Sequence, residues 1–170
     1  TNRHTQHQIA VQTLKQMRDK AFHLNPTHAP SITCADLIGK RWMCSQEVAG
    51  LFGNEFGEFC KAVVEKGECE FFTNVRNGKG KELTVEGKVM LSQLKKQGPL
   101  HNEELMAIAK DKRMCSYEKA LDLAKDALVI IGDYYYIFNP HVSDALFTKL
   151  NLKLEDCIVI VDEGHNLPSR

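Results

Sequence analysis

The chain has 170 residues, a charged fraction of 26%, and 22 basic side chains against 22 acidic ones, a profile that fits one ordinary globular core and excludes a disordered segment. The charge balance excludes capture of a polyanion by the field of the whole molecule, so a nucleic-acid partner requires a local basic patch. No apolar run approaches the ~20 residues of a membrane helix, and the opening TNRHTQHQ has neither a signal-peptide core nor an initiator Met, so the chain is expected to be soluble, intracellular and cut from something longer, with no membrane partner.

In chain order, Ala10, Leu14, Met17 and Ala21 recur at helical spacing from Gln6 onward, and the pattern stops at Asn25-Pro26-Thr27-His28-Ala29-Pro30-Ser31, where two prolines forbid a helix interior. The region from Cys34 to Cys115 shows short helical patterns, Val85 to Leu94 and Glu103 to Ala109, around a turn-rich insert at Asn74 to Lys81. It reads as an irregular, mainly helical module in need of an internal staple.

After Cys115 the pattern changes. Ser116 is placed to cap a helix through Lys125, Leu128 to Ile131 reads as a strand, Asn139-Pro140 opens another helix, and Ile158 to Val161 reads as a second strand. Short all-apolar strands alternating with amphipathic helices predict an α/β fold, with a parallel sheet buried on both faces and the cysteine module inserted into it.

Six cysteines are too few for a disulfide scaffold, and in an intracellular chain that number invites a metal or cluster. No C-x2-C pair of the kind common in zinc sites is present, and the separations of 16, 9 and 46 positions among Cys44, Cys60, Cys69 and Cys115 match no short template. Spacing therefore leaves an iron-sulfur cluster, a zinc site and scattered structural thiols open. Cys157, at the start of an apolar run, is most simply a small buried hydrophobe. His4 and His7 are read as exposed histidines near a chain end and not as metal ligands.

The second strand ends in Asp162, Glu163 and His165. In open parallel sheets, ligands bind beyond the carboxyl ends of the strands, and phosphoryl transfer to water needs one carboxylate for Mg2+ and a second group for the attacking water. Helix-end electrostatics is the plainer alternative.

The run Cys157 to Val161 followed by Asp162-Glu163-Gly164-His165-Asn166 resembles the Walker B motif of XPD-like DNA helicases of superfamily 2, which usually has Ala where Gly164 stands. Three further segments resemble that family in order. Thr1 to Gln6 is similar to motif Ia, Gly39-Lys40-Arg41-Trp42-Met43-Cys44 through Cys115-Ser116-Tyr117 to its iron-sulfur insertion, and Asp133 to Pro140 to its aromatic segment.

The resemblance implies a RecA-like helicase domain interrupted by an α-helical iron-sulfur domain: residues 1–30 motif Ia and its helix, 31–115 the cluster domain, 116–170 the return to the helicase domain. It implies Cys44, Cys60, Cys69 and Cys115 as ligands of a 4Fe-4S cluster, with Cys34 and Cys157 left out. Asp162 would hold the Mg2+ of bound ATP, Glu163 would orient or deprotonate water, and His165 would couple nucleotide state to the DNA motifs.

Thr5, Gln6, Lys40, Arg41, Tyr134 and Tyr136 are the expected DNA contacts, with one of the two tyrosines packed and the other near DNA. Lys40 stands where the family usually has Arg, and Ser116 and Glu70 stand where prolines often follow the ligands; a Lys cannot make an Arg's planar bidentate contact.

The implied activity is ATP-dependent 5'-to-3' movement on single-stranded DNA and unwinding at a duplex junction. The implied partners are that DNA and the remaining helicase lobes of the parent chain. The setting is nucleoid-associated cytoplasm in a prokaryote or the nucleus in a eukaryote, with DNA repair the expected process. No G-x-x-x-x-G-K-[ST] loop occurs in these residues, so the chain alone is not expected to hydrolyse ATP. Two competing readings are a non-enzymatic single-strand-binding module with structural zinc and a cluster-based redox sensor.

Overall fold

The computed structural model describes residues 3–48, 50–77 and 82–169. Part of the turn-rich insert, at 78–81, and the first two residues of the motif Ia match lie outside them. Helix α1 (Arg3–Leu24) opens the chain and ends before the Pro26 to Pro30 linker, followed by strand β1 (Cys34–Leu37), α2 (Gly53–Glu65), α3 (Glu70–Thr73), α4 (Val85–Gln97), α5 (Asn102–Asp111) and α6 (Ser116–Ala124). Strand β2 (Val129–Gly132), the single turn α7 (Tyr135–Phe138), α8 (Pro140–Leu150) and two 3-10 turns, Leu154–Asp156 and Gly164–Ser169, complete the described order.

The helix starts follow local chemistry. Thr84 Oγ1 accepts from Gly87 N at the head of α4, and Asn139 Oδ1 accepts from Val142 N at the head of α8 with Pro140 in the first turn. Ser116 departs from its expected role: Cys115 holds the cap position, and Ser116 is the fully buried first residue of α6.

The sheet pairs β1 and β2 in parallel, Cys34 opposite Val129 through Leu37 opposite Gly132, so residues 35 and 130 become neighbours through a crossover that holds all of α2 to α6. β1 is buried along its length, whereas β2 alternates and leaves Ile130 36% exposed. One apolar core joins the sheet to the crossover: Leu37 from β1, Met90 and Leu94 from α4, Leu105 from α5, Leu121 from α6, and Leu146 and Leu150 from α8. Helix α6 is its centre, with every residue from Lys119 to Ala124 buried.

Two expectations are corrected. Ile158 to Val161 forms no strand among the described residues, and Ile158 and Ile160 are 93% and 89% exposed. An apolar run becomes a strand only when a neighbour takes its N–H and C=O groups, and the β1–β2 ladder offers it none. His7 is buried, not exposed: its Nδ1 lies 2.5 Å from Asp36 Oδ1, and Asp36 Oδ2 accepts from Asn102 N and Nδ2 at 2.8 and 2.7 Å. This buried carboxylate on β1 ties α1 to the head of α5, assisted on the surface by Lys15 to Glu104 at 2.9 Å and by Arg18 Nη1 donating to the Gln97 carbonyl at 2.8 Å.

Candidate cluster site and acidic tip

Four segments bring sulfur to one place. Cys44 follows the turn after β1, Cys60 lies on α2, Cys69 caps α3, and Cys115 caps α6. All four line a single cavity, walled by Phe56, Phe59, Phe71 and Phe72. The turn holding Cys44 is set by Trp42 N on the Gly39 carbonyl at 2.9 Å and Cys44 N on the Arg41 carbonyl at 3.2 Å, and the Cys115 N–H is fixed on the Phe71 carbonyl at 2.8 Å. All six cysteines are free thiols.

Polar groups address these sulfurs. Gln46 Nε2 donates to Cys69 Sγ at 3.1 Å. The Lys40 ammonium lies over the Tyr117 ring at 5.7 Å and turns toward the cavity; burial disfavours its charge, but Cys60 above all, then Glu118 and Cys115, hold it above its ordinary value. Burial pushes the Cys115 thiol up to about 12 and, with Cys60 and Cys69 nearby, raises Cys44 as well. Among the described residues no three His, Cys, Asp or Glu side chains gather so as to hold a metal ion.

Cys34 and Cys157 stand apart from this cavity. Cys34 is buried in β1, its thiol pushed up to about 12 by desolvation and then by Asp36. Cys157 is half-buried and donates to the Lys153 carbonyl at 3.4 Å.

At the far end, Asp162 and Glu163 are exposed. Glu163 has φ of +52°, a left-handed conformation that a non-glycine residue adopts at a cost and that recurs at functional sites. Its carboxylate meets His165 Nδ1 at 3.2 Å. Tyr134 donates its hydroxyl to the Asp162 carbonyl, so the aromatic segment and the acidic tip touch.

Tyr136 is the packed tyrosine. It is buried, donates to the Ile38 carbonyl at 2.8 Å, and lies so close to Gly132 that a Cβ there would stand 2.9 Å from the ring. Thr5 and Gln6 are exposed in the first turns of α1. Sequence reasoning passed over Gln46 and the phenylalanine wall, because a lone Gln and scattered rings carry no spacing signal until the fold gathers them.

The two-stranded parallel sheet, the four-thiol cavity built within its crossover and the Asp-Glu-x-His run touched by Tyr134 are the features to set beside known proteins. The family model described as DEAD_2 matches residues 2–170, and the chain belongs to that family of XPD-like superfamily 2 helicases.

The chain is 28% identical over 100 residues to the general transcription and DNA repair factor IIH helicase subunit XPD of Dictyostelium discoideum, covering 59% of this chain and 11% of that protein. It is 24% identical over 165 residues to a regulator of telomere elongation helicase 1 homolog of Caenorhabditis briggsae, covering 94% and 15%. It is 24% identical over 166 residues to a Fanconi anemia group J protein homolog of Gallus gallus, covering 94% and 12%. The chain thus spans between 11% and 15% of the length of these relatives.

Proposed function

We propose that this chain is the iron-sulfur-bearing segment of an ATP-dependent DNA helicase that moves 5' to 3' on single-stranded DNA and opens duplex at a junction, acting in DNA repair. The observation that carries the reading is the cavity shared by Cys44, Cys60, Cys69 and Cys115, which lie up to 71 positions apart. The donor set fits a 4Fe-4S cluster: four thiols around one space, phenylalanines to exclude water, and N–H donors from Gln46 and Lys40 toward the sulfurs. The cluster, when bound, supplies a rigid covalent staple for a module with little regular structure.

The domain assignment follows the same logic. Residues 1–30 and 116–170 belong to the RecA-like helicase domain and 31–115 to the cluster domain, whose first strand, β1, pairs with β2 of the helicase domain. Exposed Ile158 and Ile160 fit a strand that is covered on both faces when it pairs within the parent's larger sheet. Such a protein works on chromosomal DNA inside the cell, in the nucleus of a eukaryote. Among the described residues no helix is long and apolar enough to cross a membrane.

In the parent, Asp162 would hold the Mg2+ of bound ATP and Glu163 would orient or deprotonate the attacking water. His165, already against Glu163, relays nucleotide state toward Tyr134 and the DNA motifs. Thr5, Gln6, Lys40, Arg41 and Tyr134 supply DNA contacts, and Tyr136 is the tyrosine packed in the core. In the full-length protein Glu163→Gln is expected to lower the kcat of DNA-stimulated ATP hydrolysis by about 10²- to 10⁴-fold while ATP still binds. Unchanged hydrolysis would remove Glu163 from the chemistry.

Metal analysis of anaerobically purified chain tests the cofactor. About four iron and four acid-labile sulfide per chain are expected. Stoichiometric zinc without sulfide would instead support a non-enzymatic single-strand-binding module.

A further inference from the structure

Glu70 immediately follows Cys69, and Arg113 stands two positions before Cys115. Both side chains are exposed, yet they meet in a two-pronged pair, Arg113 Nε on Glu70 Oε1 at 2.6 Å and Arg113 Nη2 on Glu70 Oε2 at 2.5 Å. Two further bonds join the same segments. Asn74 Nδ2 donates to the Arg113 carbonyl at 2.9 Å, and the Cys115 N–H donates to the Phe71 carbonyl at 2.8 Å. Isolated surface ion pairs contribute little, but a bidentate Arg–carboxylate contact is stronger and fixes geometry.

The backbone points the same way. The Met114 N–H on the Ala109 carbonyl at 2.8 Å and the Arg113 N–H on the Lys110 carbonyl at 3.0 Å close α5 in the Schellman pattern, whose left-handed position glycine usually fills. Arg113 holds that position with φ of +51°, at a cost in backbone energy that glycine would avoid. Its guanidinium reaches Glu70 across 43 positions of chain. Helix α3 buries no side chain, so polar bonds of this kind attach the Cys69 segment to the Cys115 segment.

We infer that Glu70 and Arg113 are positioning residues for the cluster: their ion pair clamps the segments of Cys69 and Cys115 together, so that half of the thiol set is assembled by the chain itself. The inference rests on the cluster reading proposed above. It gives a task to Glu70, which stands where a proline often follows the ligand in the family pattern, and to the strained Arg113.

Iron release from the anaerobically purified 170-residue chain, followed with a chromogenic ferrous chelator and by loss of visible absorption, tests the clamp. Glu70→Gln and Arg113→Gly are each expected to release iron about three- to fivefold faster, the size of a good ion pair read as a rate. Arg113→Gly is the sharper of the two, because relief of the left-handed backbone alone would slow the release. The double reversal Glu70→Arg with Arg113→Glu should recover most of the loss. In about 1 M salt, where charges are screened beyond about 3 Å, the gap between Glu70→Gln and the unmodified chain should narrow. In the iron-free chain, the Cys115 amide is expected to exchange its hydrogen faster in Glu70→Gln than in the unmodified protein.

Equal iron release and equal exchange in the single variants would overturn the clamp and leave the cluster reading standing. A double reversal that releases iron as fast as either single variant would overturn the pairing. An unmodified chain that binds no iron would overturn both the clamp and the cluster.

Discussion

Serine at any one of Cys44, Cys60, Cys69 or Cys115 is expected to lower iron and sulfide to well below half of the unmodified content and to unfold the insertion, residues 31–115. Serine at Cys34 or Cys157 should leave both at full occupancy. The argument is geometric. Each of the four comes from a different segment, the turn after β1, α2, the cap of α3 and the cap of α6, so the loss of one thiolate frees a whole segment from the staple. Two of those segments have little else to hold them: α3 is four residues long with no buried residue, and α2 buries only Phe56. Cys34, by contrast, is already satisfied as a buried strand residue facing Val129 across the ladder. Iron and sulfide analysis with far-ultraviolet circular dichroism reads the series, and loss of iron from the Cys34 variant alone would overturn the assignment of ligands.

The Asp122→Ala variant is expected to lose about 3–5 kcal/mol of stability, a large share of the 5–15 kcal/mol typical of a domain. Asp122 is 3% exposed and stands between two buried cations, 2.5 Å from Arg76 Nη2 and 2.9 Å from Lys119 Nζ. Arg76 keeps Glu118 at 3.0 Å, and Lys119 keeps its bond to the Gly87 carbonyl at 3.1 Å. Lys119 is fully buried, and desolvation already holds its ammonium below the ordinary range with Asp122 opposing. Without Asp122 that opposition disappears and a charge is stranded in the core.

The second substitution Lys119→Met, made on the Asp122→Ala background, should recover part of the loss, because removing both charges avoids the penalty of leaving one behind. Urea denaturation decides the matter. A midpoint for Asp122→Ala within experimental error of the unmodified chain would show that water reaches the pair.

Much of the chain could be read locally. The helix expected from Gln6 became Arg3–Leu24, the patterns at Val85 and Glu103 became α4 and α5, and Asn139-Pro140 opened α8 as capping chemistry dictates. The family resemblance rested on short motifs in order and covers the same residues that the DEAD_2 model matches. Each of these signals lies within one or two turns of chain, where side-chain periodicity and caps act directly.

The amino-acid sequence by itself therefore determined five of the helices, α1, α4, α5, α6 and α8, and the family. Only the tertiary structure decided that Cys44, Cys60, Cys69 and Cys115 face one cavity, and that His7 and Asn102 meet on Asp36 across 29 and 66 positions of chain. It also decided that Asp122 neutralises two buried cations and that Ile158 to Val161 lies unpaired. Burial, pairing and charge compensation are properties of neighbours in space. A strand without a partner, or a carboxylate without its cations, has the same letters in either setting, and the free energy that separates the two comes from groups that the local sequence does not contain.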